Sequence, residues 1–260
     1  MIREIRRVGQ HAYFYALSRS EQLIEWLNDE LGDYTVEAQD EGRRTTLVGK
    51  DKTITITGHV IASVAVNPQT LLWRWADDDT ASVAALIRDW GRDNGLRTLT
   101  TQEVPYEPLD APAANPAHIA EDLGCLGFEV FGQDAMYLFF PFNKAGSQLV
   151  LLVENFSETP PAFDFTAFMT KLPRLITFAD DVAWSMDGLT RIRPDWQVQH
   201  TLITDNERGG DNGDNGDDDN YTDRWSITNE SGLTATYDLA YDSHRRVTAV
   251  RANLPAVGGN

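Results

Sequence analysis

The sequence predicts an α+β protein made of two units, each combining helix with an antiparallel meander. Three observations support this class. Two stretches of the first half have apolar residues at helical spacing, the strand-like stretches between them follow one another directly, and helix plus strands return in the second half. A chain of 260 residues is long enough for two small domains. We place the boundary near residues 143–148, which gives domains of 1–145 and 146–260.

The first predicted helix covers residues 18–33. Ser18 followed by Glu21 matches a capping box, which marks a helix start, and Gly32 is of the type that ends helices. The segment is predicted to be amphipathic because its apolar residues recur at helical spacing: Leu23, Ile24, Trp26, Leu27 and Leu31.

Three strand-like stretches follow and predict an antiparallel meander. Residues 43–49 and 52–66 alternate between apolar and polar side chains, and Asn67-Pro68 is a turn signal before the stretch 70–76. In this last stretch, a period of two places three apolar side chains on one strand face: Leu71, Trp73 and Trp75.

A second helix is predicted over residues 80–95, where Asp78 or Asp79 caps the helix or complements its dipole and a glycine ends it. A Pro-rich connection separates it from a short helix around residues 117–127. A strand at 135–142 completes the first unit.

The second unit is predicted to open with a strand at residues 149–156 and to continue with helical stretches between 163 and 186. Four strand-like pieces then predict a second antiparallel sheet: 196–204, 223–229, 233–240 and 245–253.

Residues 205–223, here called the acidic loop, separate two of these strands. The loop holds eight acidic side chains and one basic side chain, so it carries −7 of the total charge of −18. Because it has so few apolar side chains, we expect it to be mobile.

The charge of the chain favours some partners over others. Forty acidic against 22 basic side chains repel a polyanion over most of the surface, so we expect no nucleic acid among the partners. A basic protein is the partner that this charge favours. The basic pairs are scattered rather than grouped: Arg6-Arg7, Arg43-Arg44 and Arg245-Arg246.

The apolar runs and the cysteine content predict a cytoplasmic protein without membrane association. The longest runs, 136–142 and 149–153, are far shorter than the roughly 20 residues of a membrane-spanning helix, and no signal peptide is expected. Cys125 is the only cysteine, so no internal disulfide forms. Its surroundings favour a buried apolar residue over a nucleophile.

The motifs of the chain predict no metal site, no cofactor and no catalytic residues. The five histidines are far apart, and there is no phosphate-binding glycine loop and no G-x-S-x-G elbow. The acidic loop does not fit an EF-hand, because Thr222 stands where a loop beginning at Asp211 needs a glutamate. Adjacent acids at Asp77 to Asp79 and at Asp180-Asp181 are more typical of solvent-facing turns than of catalytic pairs.

The candidate binding residues lie at and near the Trp-x-Trp stretch. Trp73 and Trp75 pack most simply into a core, where each indole buries on the order of 150–250 Å². An indole on a pocket floor or an interface is also an effective recognition group. Asp77, Asp78 and His59 lie near strand or turn ends, where loops carry function. These five residues form the candidate site.

The stretch TLLWRWADDD at residues 70–79, with WGRDNGLRTLT downstream, resembles an uncharacterised family of small bacterial domains. The signature strand of that family reads approximately Thr-Trp-Leu-Trp-Ala-Trp-Ala-Asn. The resemblance covers about residues 20–140 and implies a fold but no activity, ligand or cofactor. Leu71, Arg74 and Asp77 depart from the signature, whereas these positions match: Thr70, Leu72, Trp73, Trp75, Ala76, Leu99 and Thr100.

Two functional hypotheses follow. The acidity and the lack of catalytic motifs favour a non-enzymatic binding or interaction module, for example an immunity or antitoxin-like protein that neutralises a basic toxin. The alternative is an enzyme, such as a hydrolase, with a site assembled from distant residues and with Asp77, Asp78, His59 and Trp75 at its rim. A third interpretation is that the acidity only maintains solubility. The oligomeric state stays open.

Overall fold

The computed structural model describes most of the chain as helices and antiparallel strands. The predicted α+β class is confirmed, because both units combine helices with antiparallel sheets. The described residues are 2–39, 43–76, 82–106, 116–203 and 221–255.

The chain divides into two compact units. The first contains Met1–Ala12 and Arg19–Phe163, and the second contains Tyr13–Ser18 and Asp164–Asn260. This division corrects the predicted boundary between residues 145 and 146. The strand that follows this point pairs with a central strand of the first sheet and so belongs to the first unit.

Six helices lie in the described residues. Their bounds are α1 Arg3–Leu31, α2 Val83–Asp93, α3 Arg97–Thr100, α4 Pro116–Phe131, α5 Phe165–Phe178 and α6 Val182–Ile192.

Eleven strands lie in the described residues and form two sheets. Those of the first sheet are β1 Thr35–Gln39, β2 Arg44–Val48, β3 Thr53–Ala65, β4 Thr70–Trp73, β5 Glu103–Pro105, β6 Tyr137–Pro141 and β7 Gln148–Phe156. Those of the second sheet are β8 Gln197–Leu202, β9 Tyr221–Thr228, β10 Thr234–Tyr241 and β11 Val247–Asn253.

The first sheet is built around β3. Its first five residues pair with β2, its last four pair with β4, and β7 pairs along most of its length, always antiparallel. β1 extends the sheet beyond β2, β5 beyond β4, and β6 beyond β7. The predicted meander is confirmed, whereas β1 was not predicted: its sequence, TVEAQ, alternates, but only two of its five side chains are apolar and all five residues are exposed.

Helix α1 is longer than the sequence predicts. It begins at Arg3, so the capping box predicted at Ser18 and Glu21 is wrong. Ser18 is fully buried in the middle of the helix, which extends toward the N-terminus because Ile5 and other apolar side chains there are buried as well. The predicted end is confirmed, since Gly32 has a φ of 64°, a left-handed conformation that glycine adopts readily.

The second half of α1 packs on the first sheet through one apolar face. Leu23, Leu27 and Leu31 are spaced by four residues and are at most 5% exposed. They share a core with Ile54 and Ile56 of β3. Each buried leucine contributes roughly 1.5–3 kcal/mol, so this face fixes which side of α1 remains at the surface.

The second unit has an aromatic core. Its sheet has the order β11-β10-β9-β8, and Tyr237 of β10 is fully buried, with its hydroxyl donating to the carbonyl oxygen of Met169 on α5 at 3.0 Å. Trp196 contacts Phe165 edge-on, with ring centroids 4.7 Å apart, and contacts Tyr15 at 6.4 Å. Tyr15 lies in the segment of α1 that belongs to this unit.

Across the described stretches, no helix has the length and apolar content needed to cross a membrane.

Candidate functional site

Trp73 is a core residue of the first sheet. It ends β4, is fully buried, and its indole Nε1 donates a hydrogen bond to the carbonyl oxygen of Thr98 at 3.0 Å. Ala62, its cross-strand neighbour on β3, is also fully buried. The indole is therefore satisfied inside the protein and exposes no surface to a ligand.

Trp75 does not share a strand face with Trp73, in contrast to the prediction. β4 ends at Trp73, and the chain continues as a short 3₁₀ turn, Arg74–Ala76, where the period of two is lost. The guanidinium carbon of Arg88 lies 5.6 Å from the centroid of the Trp75 ring. Trp75 Nε1 is buried and has no hydrogen-bond partner among the residues that the structure describes.

The other predicted site residues do not join this pair. His59 lies on β3, and its Nε2 is 3.7 Å from Oε2 of Glu154, a side chain that is 67% exposed. Within the described stretches, no hydrogen bond, ion pair or ring contact joins His59 to Trp73 or Trp75. Asp77 and Asp78 lie outside the described residues, as do residues 205–220 of the acidic loop.

Two side chains that were considered for chemistry have structural roles. Asp181 accepts a hydrogen bond from the backbone N–H of Trp184 at 3.0 Å and so caps α6. Cys125 on α4 is buried, as predicted, and burial together with the nearby Asp122 raises the pKa of its thiol well above the ordinary value. Among the described residues, no three potential metal ligands lie together.

A surface of the first unit that is not among the predicted sites carries a concentration of charge. Residues 20–39, here called the acidic segment, contain six acidic side chains and no basic one. They run from the second half of α1 through a turn into β1. A count of charges along the sequence would have found this segment. Five of its acidic side chains are exposed: Glu25, Asp29, Glu30, Asp33 and Glu37.

The charges of α1 oppose the dipole of the helix. Its first turns carry three arginines, Arg3, Arg6 and Arg7, against one acidic residue, Glu4, whereas its last turn carries Asp29 and Glu30 and no basic residue. A charge at the unfavourable end of a helix typically costs about 0.3–1 kcal/mol. The stability of the helix therefore gives no reason for this order of charges.

The two ends of α1 differ in how these charges are compensated. Near the start, Arg6 donates to Asp122 of α4 at 3.1 Å. Near the end, Lys52 pairs with Glu30 and also with Glu158, and these two hydrogen bonds raise the pKa of the lysine, the one with Glu158 more strongly. One cation shared by two carboxylates leaves a net negative charge at this end.

Strand β1, the last part of the acidic segment, is an edge of the first sheet. It pairs with β2 in an unshifted antiparallel register, and no strand pairs with its other side among the described residues. All five of its residues are exposed. Val36 is 39% exposed although Leu47, its cross-strand neighbour on β2, is only 3% exposed. The apolar face of the sheet thus continues to an uncovered edge.

The second sheet contains a histidine–carboxylate pair that was not predicted. His200 Nε2 lies 2.5 Å from Oδ1 of Asp223, and the imidazole stacks on Trp225 with ring centroids 4.4 Å apart and planes 18° apart. Thr222 donates to the other carboxylate oxygen at 2.9 Å. Burial and the nearby Asp223 raise the pKa of Tyr241 to about 12. Only the pairing of β8 with β9 brings this pair together, so motif spacing gives no signal for it.

Comparison with known proteins places the first unit in a family. The chain belongs to a family of unknown function (DUF6882), whose profile matches residues 6–156. The match includes the acidic segment and every strand of the first sheet, and it agrees with the resemblance to an uncharacterised family. No curated protein and no solved structure matches the chain.

Proposed function

We propose that this family member is a non-enzymatic protein-interaction module whose acidic segment binds a basic protein partner. The observation that carries the proposal is the group of exposed carboxylates, without any basic residue in the segment, at the end of α1 and in β1. Two of these carboxylates, Asp29 and Glu30, lie in the last turn of α1 and oppose the helix dipole, so they work against the stability of the helix. Side chains that work against local stability are expected mainly at functional sites.

A basic partner suits this surface for a physical reason. Asp29 and Glu30 repel each other and the carbonyl end of α1, and a cation from a partner would relieve both effects. Exposed charges of one sign also speed encounter with a partner of the opposite sign. An antitoxin or immunity protein that neutralises a basic toxin is one form that such a module takes.

Affinity capture tests the proposal. The full chain is immobilised and exposed to a lysate of the native organism at about 0.02 M and about 0.15 M salt, where the Debye length falls from roughly 20 Å to about 8 Å. We expect a basic protein to be retained at the lower salt concentration. At the higher concentration, less of this protein should be retained. The test variant combines three neutralising substitutions in the acidic segment: Asp29→Asn, Asp33→Asn and Glu37→Gln.

A matched control separates the segment from the overall charge. The control variant neutralises three exposed carboxylates elsewhere in the first unit, Asp93→Asn, Glu103→Gln and Asp134→Asn, and so has the same net charge as the test variant. The proposal predicts loss of the retained protein from the test variant alone. Equal loss from both variants would show that net charge, and not the acidic segment, holds the partner.

One observation favours a second candidate function, an enzyme that uses His200 as a general base. A histidine oriented by a carboxylate is a common arrangement for proton abstraction, and His200 is exposed enough to reach a substrate. A panel of activated esters and phosphate esters tests this candidate. Turnover that His200→Gln abolishes and His118→Gln leaves unchanged would support it, whereas no turnover above the rate in buffer would argue against it.

A further inference from the structure

We propose that the basic partner adds a strand to the open edge of β1, extending the first sheet by backbone pairing. This inference rests on the proposed function and specifies how the partner binds. The occupant is an extended segment of another protein in which basic and apolar residues alternate. Strand addition of this kind takes its affinity from main-chain hydrogen bonds and its specificity from alternate side chains.

The edge of β1 lacks most of the features that protect edge strands. Proteins usually guard such edges with lysine, proline, a bulge or a covering element. β1 contains neither lysine nor proline, and its register with β2 runs without a shift from Thr35 opposite Val48 to Gln39 opposite Arg44. Every second residue of such a strand points its backbone N–H and C=O away from the sheet. No described strand accepts these groups.

The two faces of β1 define the pattern of the partner. Val36 and Ala38 lie on the face that continues toward the buried Leu47, so an added strand would place apolar residues beside them. Glu37 lies on the opposite face, which is the face of the sheet turned away from α1, so the residues of the added strand that neighbour Glu37 would be basic. Arg44 is the first residue of β2 and lies opposite Gln39. It is not the direct cross-strand neighbour of Glu37, which is Thr46.

Charge argues against a second copy of this chain as the occupant. A two-fold antiparallel pairing of β1 with itself, centred on its middle residue, would set Glu37 opposite Glu37. Like charges directly opposite each other destabilise a strand pair. Two chains that each carry −18 also repel each other at low salt. Glu37 therefore serves to reject the same chain and to admit a basic strand.

Synthetic peptides test this mode of binding on the full chain. The probe is an eight-residue peptide of alternating arginine and valine, blocked at both ends. Its control is the same peptide with every backbone amide N-methylated, which keeps charge and apolar surface but cannot pair as a strand. We expect the probe to bind at least tenfold more tightly than the control. We also expect it to slow hydrogen exchange of outward-pointing amides in residues 35–39 at least tenfold, measured by NMR.

A charge exchange at one position sharpens the test. Glu37→Lys should weaken binding of the arginine–valine peptide at least tenfold and should allow binding of a glutamate–valine peptide that the wild-type chain rejects. Thr35→Lys is the comparison variant. Thr35 is the next residue on the same face of β1, so this variant adds a basic side chain to the strand and keeps Glu37. Amide spectra of both variants confirm that the sheet is intact.

The other outcomes distinguish the two proposals. Equal binding of the probe and its N-methylated control, lost in the Asp29/Asp33/Glu37 variant, would keep the acidic segment as the binding surface and overturn strand addition. Protection of β8 instead of β1 would overturn the assignment of the edge. Protection of β1 in the free chain, together with a dimeric mass, would identify a second copy as the occupant. Failure of every peptide to bind would count against both proposals.

Discussion

The two units differ in how their carboxylates are surrounded. In the second unit, Asp238 of β10 is only 1% exposed, and two arginines bind it: Arg224 Nε lies 2.7 Å from Oδ1, and a terminal nitrogen of Arg251 lies 2.9 Å from Oδ2. In the first unit, Asp29 and Glu37 are exposed and form no ion pair with any residue that the structure describes.

Strand register explains this difference. Arg224 on β9 and Arg251 on β11 are the direct cross-strand neighbours of Asp238, so the sheet brings a cation to each side of the carboxylate. Arg251 is held in turn by the ring of Tyr221, 4.4 Å from its guanidinium carbon. The acidic segment ends in β1, which pairs with a strand on one side only among the described residues, so no second strand of that part of the chain brings a cation to Glu37. A carboxylate with a cation on each side is thus part of the structure, whereas a carboxylate at the sheet edge stays exposed.

The largest expected effect comes from removing both cations. Arg224→Met with Arg251→Met keeps the apolar stems of both side chains but leaves Asp238 buried without its ion pairs. We expect a loss of about 3–5 kcal/mol in the free energy of unfolding at pH 7, measured by urea denaturation. Arg246→Met is the control, because its ion pair with Asp242 is exposed and its loss should change the free energy of unfolding much less. Similar losses in the two proteins would contradict a structural role for Asp238.

The pH dependence of stability tests the same carboxylate. Burial alone raises the pKa of Asp238, but hydrogen bonds from Arg224 and Arg251 outweigh it and leave the pKa below its ordinary value of 3.8. A carboxylate with a lowered pKa in the folded state adds stability above the unfolded-state pKa and loses it as pH falls through the folded value. Asp238→Asn should therefore flatten the fall in unfolding free energy below about pH 4. Parallel curves for the variant and the wild type would show that other groups cause the fall.

A smaller effect, of the opposite sign, is expected in the acidic segment. Asp29→Lys places a cation in the last turn of α1, where the dipole favours it, and should raise the free energy of unfolding by about 0.3–1 kcal/mol. The same variant should weaken binding of the arginine–valine peptide. Asp134→Lys makes the same charge change outside the helices. It should change both the free energy of unfolding and the affinity for the peptide by less than Asp29→Lys does. A destabilised Asp29→Lys would mean that the aspartate contributes to the fold.

The smallest expected effect is on the response to salt. Adding salt screens repulsion among uncompensated carboxylates and should stabilise the wild-type chain. An increase to about 0.5 M salt should raise the free energy of unfolding of the Asp29/Asp33/Glu37 variant by less than that of the wild type. The expected difference is roughly 0.2–0.5 kcal/mol. The Asp93/Glu103/Asp134 variant provides the comparison at equal net charge. An equal response in the two variants would show that the repulsion is spread over the surface.

Several features of the fold follow from the sequence because they depend on neighbouring residues. Alternation in residues 52–66 predicted β3, helical spacing predicted α2, and four short alternating pieces predicted the second sheet, since each pattern reflects burial on one side of a single element. The start of α1 was missed because a capping-box pattern at Ser18 also occurs inside a helix when the serine is buried.

The candidate site depended on information that local patterns do not contain. Trp75 was placed beside Trp73 on the assumption that the strand continued, but β4 ends at Trp73, two residues before Trp75. Glu37 is the carboxylate of the acidic segment that lies in β1, and its place at an edge depends on the pairing of all the other strands.

The sequence by itself determined the α+β class, the excess of acidic residues and the location of most strands, because composition and periodicity are properties of short stretches of chain. Tertiary structure alone decided that β7 joins the first sheet, that Asp238 lies between two arginines, and that His200 meets Asp223. Each of these depends on strand pairing between residues far apart in the chain. The same pairing buries one carboxylate with its cations and leaves others at an open edge, where we propose that they bind a basic strand.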